Sequence, residues 1–171
     1  PTVAPGKEKL LVRSLRPPDY ESPVALLDSF LTPVEHFYVP SHLPVPPGLD
    51  SATSTLSLDG EVNTPLTLTL DELRKMPSAS VTFTLECAGN GRAFFDPPVA
   101  GIQWGKGAVG TARWTGVRVG ELLKRAGLKS TARYVYMNGA DRPLGTMPDF
   151  VRQLSLEKAT NPVTQLAYDR N

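Results

Sequence analysis

Hydrophobic and polar residues alternate most regularly from Ser80 to Cys87, with Val81, Phe83 and Leu85 on one side and threonines on the other. A side-chain period of two is that of a strand with one buried face. "SVTFTLEC" is therefore the best predicted strand, and Cys87 closes it on the apolar side. Shorter alternating stretches predict strands in "STLSLDG", in "TPLTLTL", in "ARYVYMNGAD" and in "PVTQLAYD"; the first and third run into Asp-Gly and Asn-Gly turns. Helical spacing predicts a short helix in "SPVALLDSF", with Ser22 as cap, Pro23 at the first position, and Leu26, Leu27 and Phe30 in phase. A second follows Thr69 or Asp71 and stops at Pro77; a third runs from about Val119 to Ala126 and stops at Gly127; "SLEKA" is one turn opened by Ser155. Pro1 to Tyr20 read as an extended arm, and residues 36–50 and 88–111 as loops. Strands outnumber helices and do not alternate strictly with them, so the predicted class is α+β, with a mixed or mostly antiparallel sheet.

Composition changes this picture little. The 171 residues suffice for one domain with a core, and a net charge of +1 with scattered Lys and Arg gives no field for nucleic acid. No apolar run approaches the roughly 20 residues of a membrane helix. Seven of the 17 prolines lie in Pro17-Pro18, Pro44 to Pro47 and Pro97-Pro98, which predicts irregular extended backbone there.

The chain has a single cysteine, Cys87, so no disulfide forms within it. A lone cysteine is most often a small buried hydrophobe. Here it meets "AGNGR", where Gly89 and Gly91 leave little bulk around the sulfur and permit close backbone approach. Arg92 supplies a charge that favours a thiolate and attracts an anion. The only histidines, His36 and His42, lie in the proline-rich stretch. With Cys87 they suggest a zinc site, but no standard ligand spacing supports it. "GKGAVG" matches the dinucleotide fingerprint in letters only, since neither a buried strand precedes it nor a helix opens at it. Asp141, after a predicted strand, is either a turn residue or a carboxylate at the same sheet edge as Cys87; Trp104 and Trp114 read as core or pocket wall.

Taken together, these segments resemble the sulfite oxidase family of molybdenum enzymes. "TLECAGNGR" resembles the family's Cys-Ala-Gly-Asn signature, in which the cysteine supplies a thiolate to the metal of a molybdopterin cofactor. "TPVEHFYVPSHLPVP" is similar to the stretch that ends in Arg-Asn-His-x-Pro-x-Pro, "GAVGTARWTGVRVGELLKRAG" to the block around Ala-x-Trp-x-Gly, and "YVYMNGAD" to a strand ending in a cofactor-binding aspartate. The likeness runs in order from Leu31 to Asn171. It implies a mostly β cofactor domain over residues 31–171, with residues 1–30 as an arm and short helix. It implies molybdenum-molybdopterin, with Cys87 as metal ligand. Tyr38, Val39, Pro40, Ser41, His42 and Asp141 would bind the pterin, and Arg92 would act on the substrate anion. Sulfite or a related small anion is the implied substrate, and cytochrome c or another carrier the implied electron acceptor. Similar arms in relatives imply a periplasmic protein.

Two departures stand out. Pro40-Ser41 replaces the family's Arg-Asn, removing a charge and an N–H, so weak handling of sulfite is expected. The family continues beyond "QLAYDRN" with further phosphate-binding residues, so the cofactor domain is expected to be incomplete here. Two other readings use the same residues. One is a cysteine hydrolase with Cys87 as nucleophile, His36 or His42 as base and loop amides as oxyanion hole. The other is a non-catalytic binding module of the same fold.

Overall fold

A computed structural model describes residues 3–171. Nine strands and three short α-helices form an α+β, mostly β domain, and every strand pairing is antiparallel. Strands β1 (Leu11–Leu15) and β2 (Pro18–Glu21) make a hairpin, and β3 (Thr55–Leu58) pairs with β4 (Leu66–Thr69). The largest sheet has the order β5-β6-β9, from Ser78–Glu86, Val109–Arg118 and Gln165–Arg170. Strands β7 (Tyr134–Met137) and β8 (Arg152–Ser155) form a separate pair.

Two of the three α-helix starts are closed by a side chain. Of the two candidate caps for α1 (Leu70–Lys75), Thr69 acts: its hydroxyl accepts from the Glu72 amide at 3.2 Å, and the Glu72 carboxylate accepts from the Thr69 amide at 2.8 Å. Helix α2 (Val119–Ala126) ends at Gly127, whose φ of 70° is left-handed. Ser155 caps α3 (Leu156–Ala159).

Three segments differ from expectation. Residues 22–30 hold only a 3-10 turn at Val24–Leu26, because Ser22 is fully buried and its hydroxyl donates to the His36 carbonyl instead of capping. Residues 11–21 are extended, as expected, but β2 is packed inside the domain, with Asp19, Tyr20 and Glu21 at most 3% exposed. The third is β6, the longest strand, which replaces an expected loop and turn. It is the central strand of its sheet, and close neighbours require small residues there. A Cβ on Gly110 would lie 2.7 Å from the Phe37 ring, and one on Gly116 would strike the Leu166 carbonyl. Those glycines erase the alternation that marks a strand.

Two apolar clusters hold the domain. Leu68, Leu73, Val117 and Leu122 fasten α1 and α2 to the sheets. Phe37, Tyr38, Trp104, Ala108 and Ala112 form the second, with Cys87 packed against it. Each large side chain so buried is worth about 1.5–3 kcal/mol. The expected apolar face of β5 is more open: Phe83 and Leu85 are 38% and 39% exposed. Phe83 stacks on Trp114 with ring centroids 5.6 Å apart. On the opposite face, hydroxyl pairs Ser80–Thr115 and Thr84–Thr111 tie β5 to β6 at 2.8 and 2.7 Å.

Candidate functional site

Cys87 is the first residue past β5, and its backbone is held on both sides. Its amide donates to the Ala108 carbonyl at 2.9 Å, and its carbonyl accepts from Asn90 at 2.8 Å. The Asn90 side chain spans the loop, accepting from the Ala108 amide at 3.0 Å and donating to Glu86 at 2.8 Å. Gly91, with φ of 84°, turns the chain into the 3-10 segment Arg92–Phe94. The return passes beside it: the amides of Gly91 and Ala93 donate to the carbonyls of Gly105 and Trp104. The thiol itself is free and half-buried. Tyr38 is close enough that Cys87 and Glu86 add to the burial that pushes its hydroxyl above the ordinary tyrosine range.

Arg92 lies across this loop. A Cβ at Gly89 would sit 2.7 Å from its guanidinium, and one at Gly101 would lie closer still. Its Nη1 donates to the Ile102 carbonyl at 3.0 Å. Among the described residues no carboxylate pairs with it.

The segment from Tyr38 to His42 is held from behind by β2. Tyr20 and Val39 exchange both backbone hydrogen bonds, at 2.9 and 2.8 Å, and Asp19 accepts from the Ser41 amide at 2.8 Å. Tyr38 is buried, Val39 and Ser41 are half-buried, and Pro40 and His42 are exposed. The His42 ring lies 5.0 Å from that of Phe150, which also carries the Arg152 guanidinium at 3.7 Å. Phe150 belongs to the β7–β8 connection, which also contains Asp141, half-buried against Gly139. The expected common sheet edge of Asp141 and Cys87 is not formed, because β7 pairs with β8 alone. The structure thus joins Cys87 with Tyr38, and His42 with the loop of Asp141, through one continuous segment.

Sequence reasoning missed Glu21, Asp19 and Asn90. Glu21 is buried and accepts from Arg13 at 2.7 Å, from the Gly105 amide at 2.8 Å and from the Gly107 amide at 2.9 Å. This accounts for "GKG": a Cβ at Gly105 would meet the Glu21 carboxylate at 2.7 Å, and one at Gly107 would strike the Ser22 carbonyl. The glycines admit a buried carboxylate of the same chain, not a nucleotide. Two glycines flanking one residue, without the strand and helix of a dinucleotide site, were the only available signal for close backbone approach.

The other candidate chemistries lose their geometry. No hydrogen bond links the Cys87 sulfur to His36 or His42, and both His36 ring nitrogens are buried without a partner. Among the described residues no three of His, Cys, Asp and Glu gather as a metal cluster, so the zinc set of Cys87, His36 and His42 does not form. Two cavities, of about 420 and 610 Å³, are lined respectively by Trp114 with residues 167–170 and by α2 with β3 and β7; neither includes Cys87.

Among the described residues Cys87 is a soft donor on a braced loop outside any metal cluster, and such a donor suits a metal whose remaining ligands arrive with an organic cofactor. The chain belongs to the oxidoreductase molybdopterin binding domain family, whose sequence model matches residues 42–171. It is 39% identical to the mitochondrial sulfite oxidase of Rattus norvegicus and 38% identical to that of Homo sapiens, in each case over 95% of this chain and 31% of the relative. Its fold matches the crystal structure of the sulfane dehydrogenase SoxCD from Paracoccus pantotrophus, with a TM-score of 0.76 and 25% identity over 99% of this chain and 40% of that one. The chain thus spans about a third of the length of the curated relatives it matches. It is a molybdopterin-binding oxidoreductase domain related to sulfite oxidase, and its family and relatives imply a molybdenum-molybdopterin cofactor. The periplasmic expectation is overturned, because the rat and human relatives are mitochondrial sulfite oxidases. No described helix is long and apolar enough to cross a membrane.

Proposed function

We propose that this domain holds the molybdenum cofactor of an enzyme oxidising sulfite or a related small anion, with electrons leaving to cytochrome c or another carrier. The observation that carries the reading is the free Cys87 thiol on its braced loop, in a chain of this family. When bound, the cofactor supplies two-electron oxygen-atom transfer. Cys87 would give the protein's one thiolate to the metal. Tyr38, Val39, Pro40, Ser41 and His42 would line the pterin, with Asp141 contributing from the β7–β8 loop. Arg92 would offset the charge of the anion; its guanidinium has a carbonyl partner but no carboxylate, so positive charge is left for a ligand.

Elemental analysis of the full-length protein, made in cells that assemble the cofactor, tests this reading. Stoichiometric molybdenum is expected in the wild type, with Cys87→Ser losing most of it or altering the metal's absorption spectrum. A wild type without the element would sink the proposal.

A further inference from the structure

Where the segment read as an N-terminal arm meets the expected helix start, four consecutive residues are buried, Asp19, Tyr20, Glu21 and Ser22, at 2%, 3%, 2% and 0% exposure. Asp19, Tyr20 and Glu21 each contact one of the two stretches that flank the site, and Ser22 contacts both. Toward residues 36–41, Ser22 Oγ donates to the His36 carbonyl at 2.7 Å, Tyr20 pairs with Val39 in both directions, and Asp19 Oδ1 accepts from Ser41. Toward residues 105–107, Glu21 accepts from the Gly105 and Gly107 amides, and the Ser22 amide donates to the Gly107 carbonyl at 3.2 Å.

These contacts lead directly to the site. The Gly105 residue bound by Glu21 returns its carbonyl to Gly91, its neighbour Trp104 returns one to Ala93, and Ala108, next to Gly107, gives its carbonyl to the Cys87 amide. On the other side, Pro40 has no N–H, so Ser41 provides the first amide past Val39 by which this segment is fixed, and Asp19 takes it. Both carboxylates are desolvated, and each costs the fold unless its acceptor role is used. The Asp19 Oδ2 atom remains buried without a partner, so this residue is a poor choice for stability alone.

We propose that β2 is the clamp that sets the spacing between the Cys87 loop and the Tyr38–His42 segment, with Glu21 and Asp19 as positioning residues for cofactor binding. The inference rests on the function proposed above. Neither residue hydrogen-bonds Cys87; Glu21 acts through the backbone that braces the Cys87 loop, and Asp19 through backbone assigned to the pterin.

The test measures molybdenum per folded full-length protein, alongside the melting curve of the cofactor-free form. Glu21→Gln puts an NH2 group against a glycine amide and should lower metal content about 10- to 100-fold, the range for groups that orient metal ligands, while the cofactor-free protein still melts cooperatively. Asp19→Ala should lose cofactor in the same way. Asp19→Asn keeps an oxygen for the Ser41 amide and should restore it. Wild-type metal content in both Glu21→Gln and Asp19→Ala would overturn the clamp alone, as would losses that track only the unfolded fraction. A wild type lacking molybdenum would overturn the function reading and the clamp with it.

Discussion

Two buried carboxylates, two residues apart on one strand, titrate in opposite directions. Burial alone pushes Glu21 up, but the Arg13 hydrogen bond and the Gly105 and Gly107 amides outweigh it and hold the group below the usual glutamate range. Its contribution to stability is therefore complete above its unfolded value and lost as pH falls through the lowered folded one. Asp19 is pushed above the usual aspartate range by burial, which the Ser41 amide only partly opposes. Its contribution is complete below its unfolded value and lost as pH rises through the raised folded one. Melting curves across pH should show Glu21→Gln with a flattened acid limb. Asp19→Asn should gain stability over the wild type at neutral pH, a gain that fades in acid. Curves parallel to the wild type in both variants would refute this account. Cys87, by contrast, is distinguished by its backbone: the amide and carbonyl are both engaged, while the sulfur is left free.

Among elements, β6 connects the rest. It pairs with β5 from Val109 to Val117 and with β9 from Trp114 to Arg118, and its register with β9 shifts between Thr115 and Gly116. Gly116 allows the Leu166 and Ala167 backbone to lie against it. Gly116→Ala should push β9 away and cost about 1–3 kcal/mol, the range for overfilling a packed site, measured as a lower denaturant midpoint. An unchanged midpoint would show that β9 adjusts freely. Gly120, where a Cβ would meet only ordinary contacts 3.5 Å away, is the matching control; Gly120→Ala should be neutral or better. The β1–β2 hairpin shows the same dependence on context: its strand propensity is modest, and long-range bonds to Val39 and Gly107 hold it in place.

At the scale of the molecule, the proposed anion site is one charge poorer than the resemblance implies. By the resemblance Pro40 stands in place of an arginine, and the side chain that binds the next amide, Asp19, is a carboxyl group. Pro40→Arg in the full-length enzyme should lower the KM for sulfite roughly tenfold, the value of one charge-assisted hydrogen bond, with little change in kcat. A wild-type KM already in the low-micromolar range would contradict this. Much of the molecule was legible beforehand. Local signals sufficed for β3, β4, β5, α1, α2, α3 and β7, because caps, prolines and alternation act within a few residues. The α+β class was legible for the same reason, whereas the mostly β fold and the role expected of Cys87 came from the family resemblance. Strand β6, the buried hairpin and the roles of Glu21 and Asp19 were not. Gly110 and Gly116 are explained by Phe37 and Leu166, and Gly105 and Gly107 by Glu21 and Ser22, all distant in sequence. The sequence by itself determined that one thiol is present and which segments carry local strand or helix signals, since these depend on side-chain chemistry and short-range backbone preference. Only the tertiary structure decided which segments meet around Cys87, because a buried carboxylate or glycine acquires its role from the group packed against it.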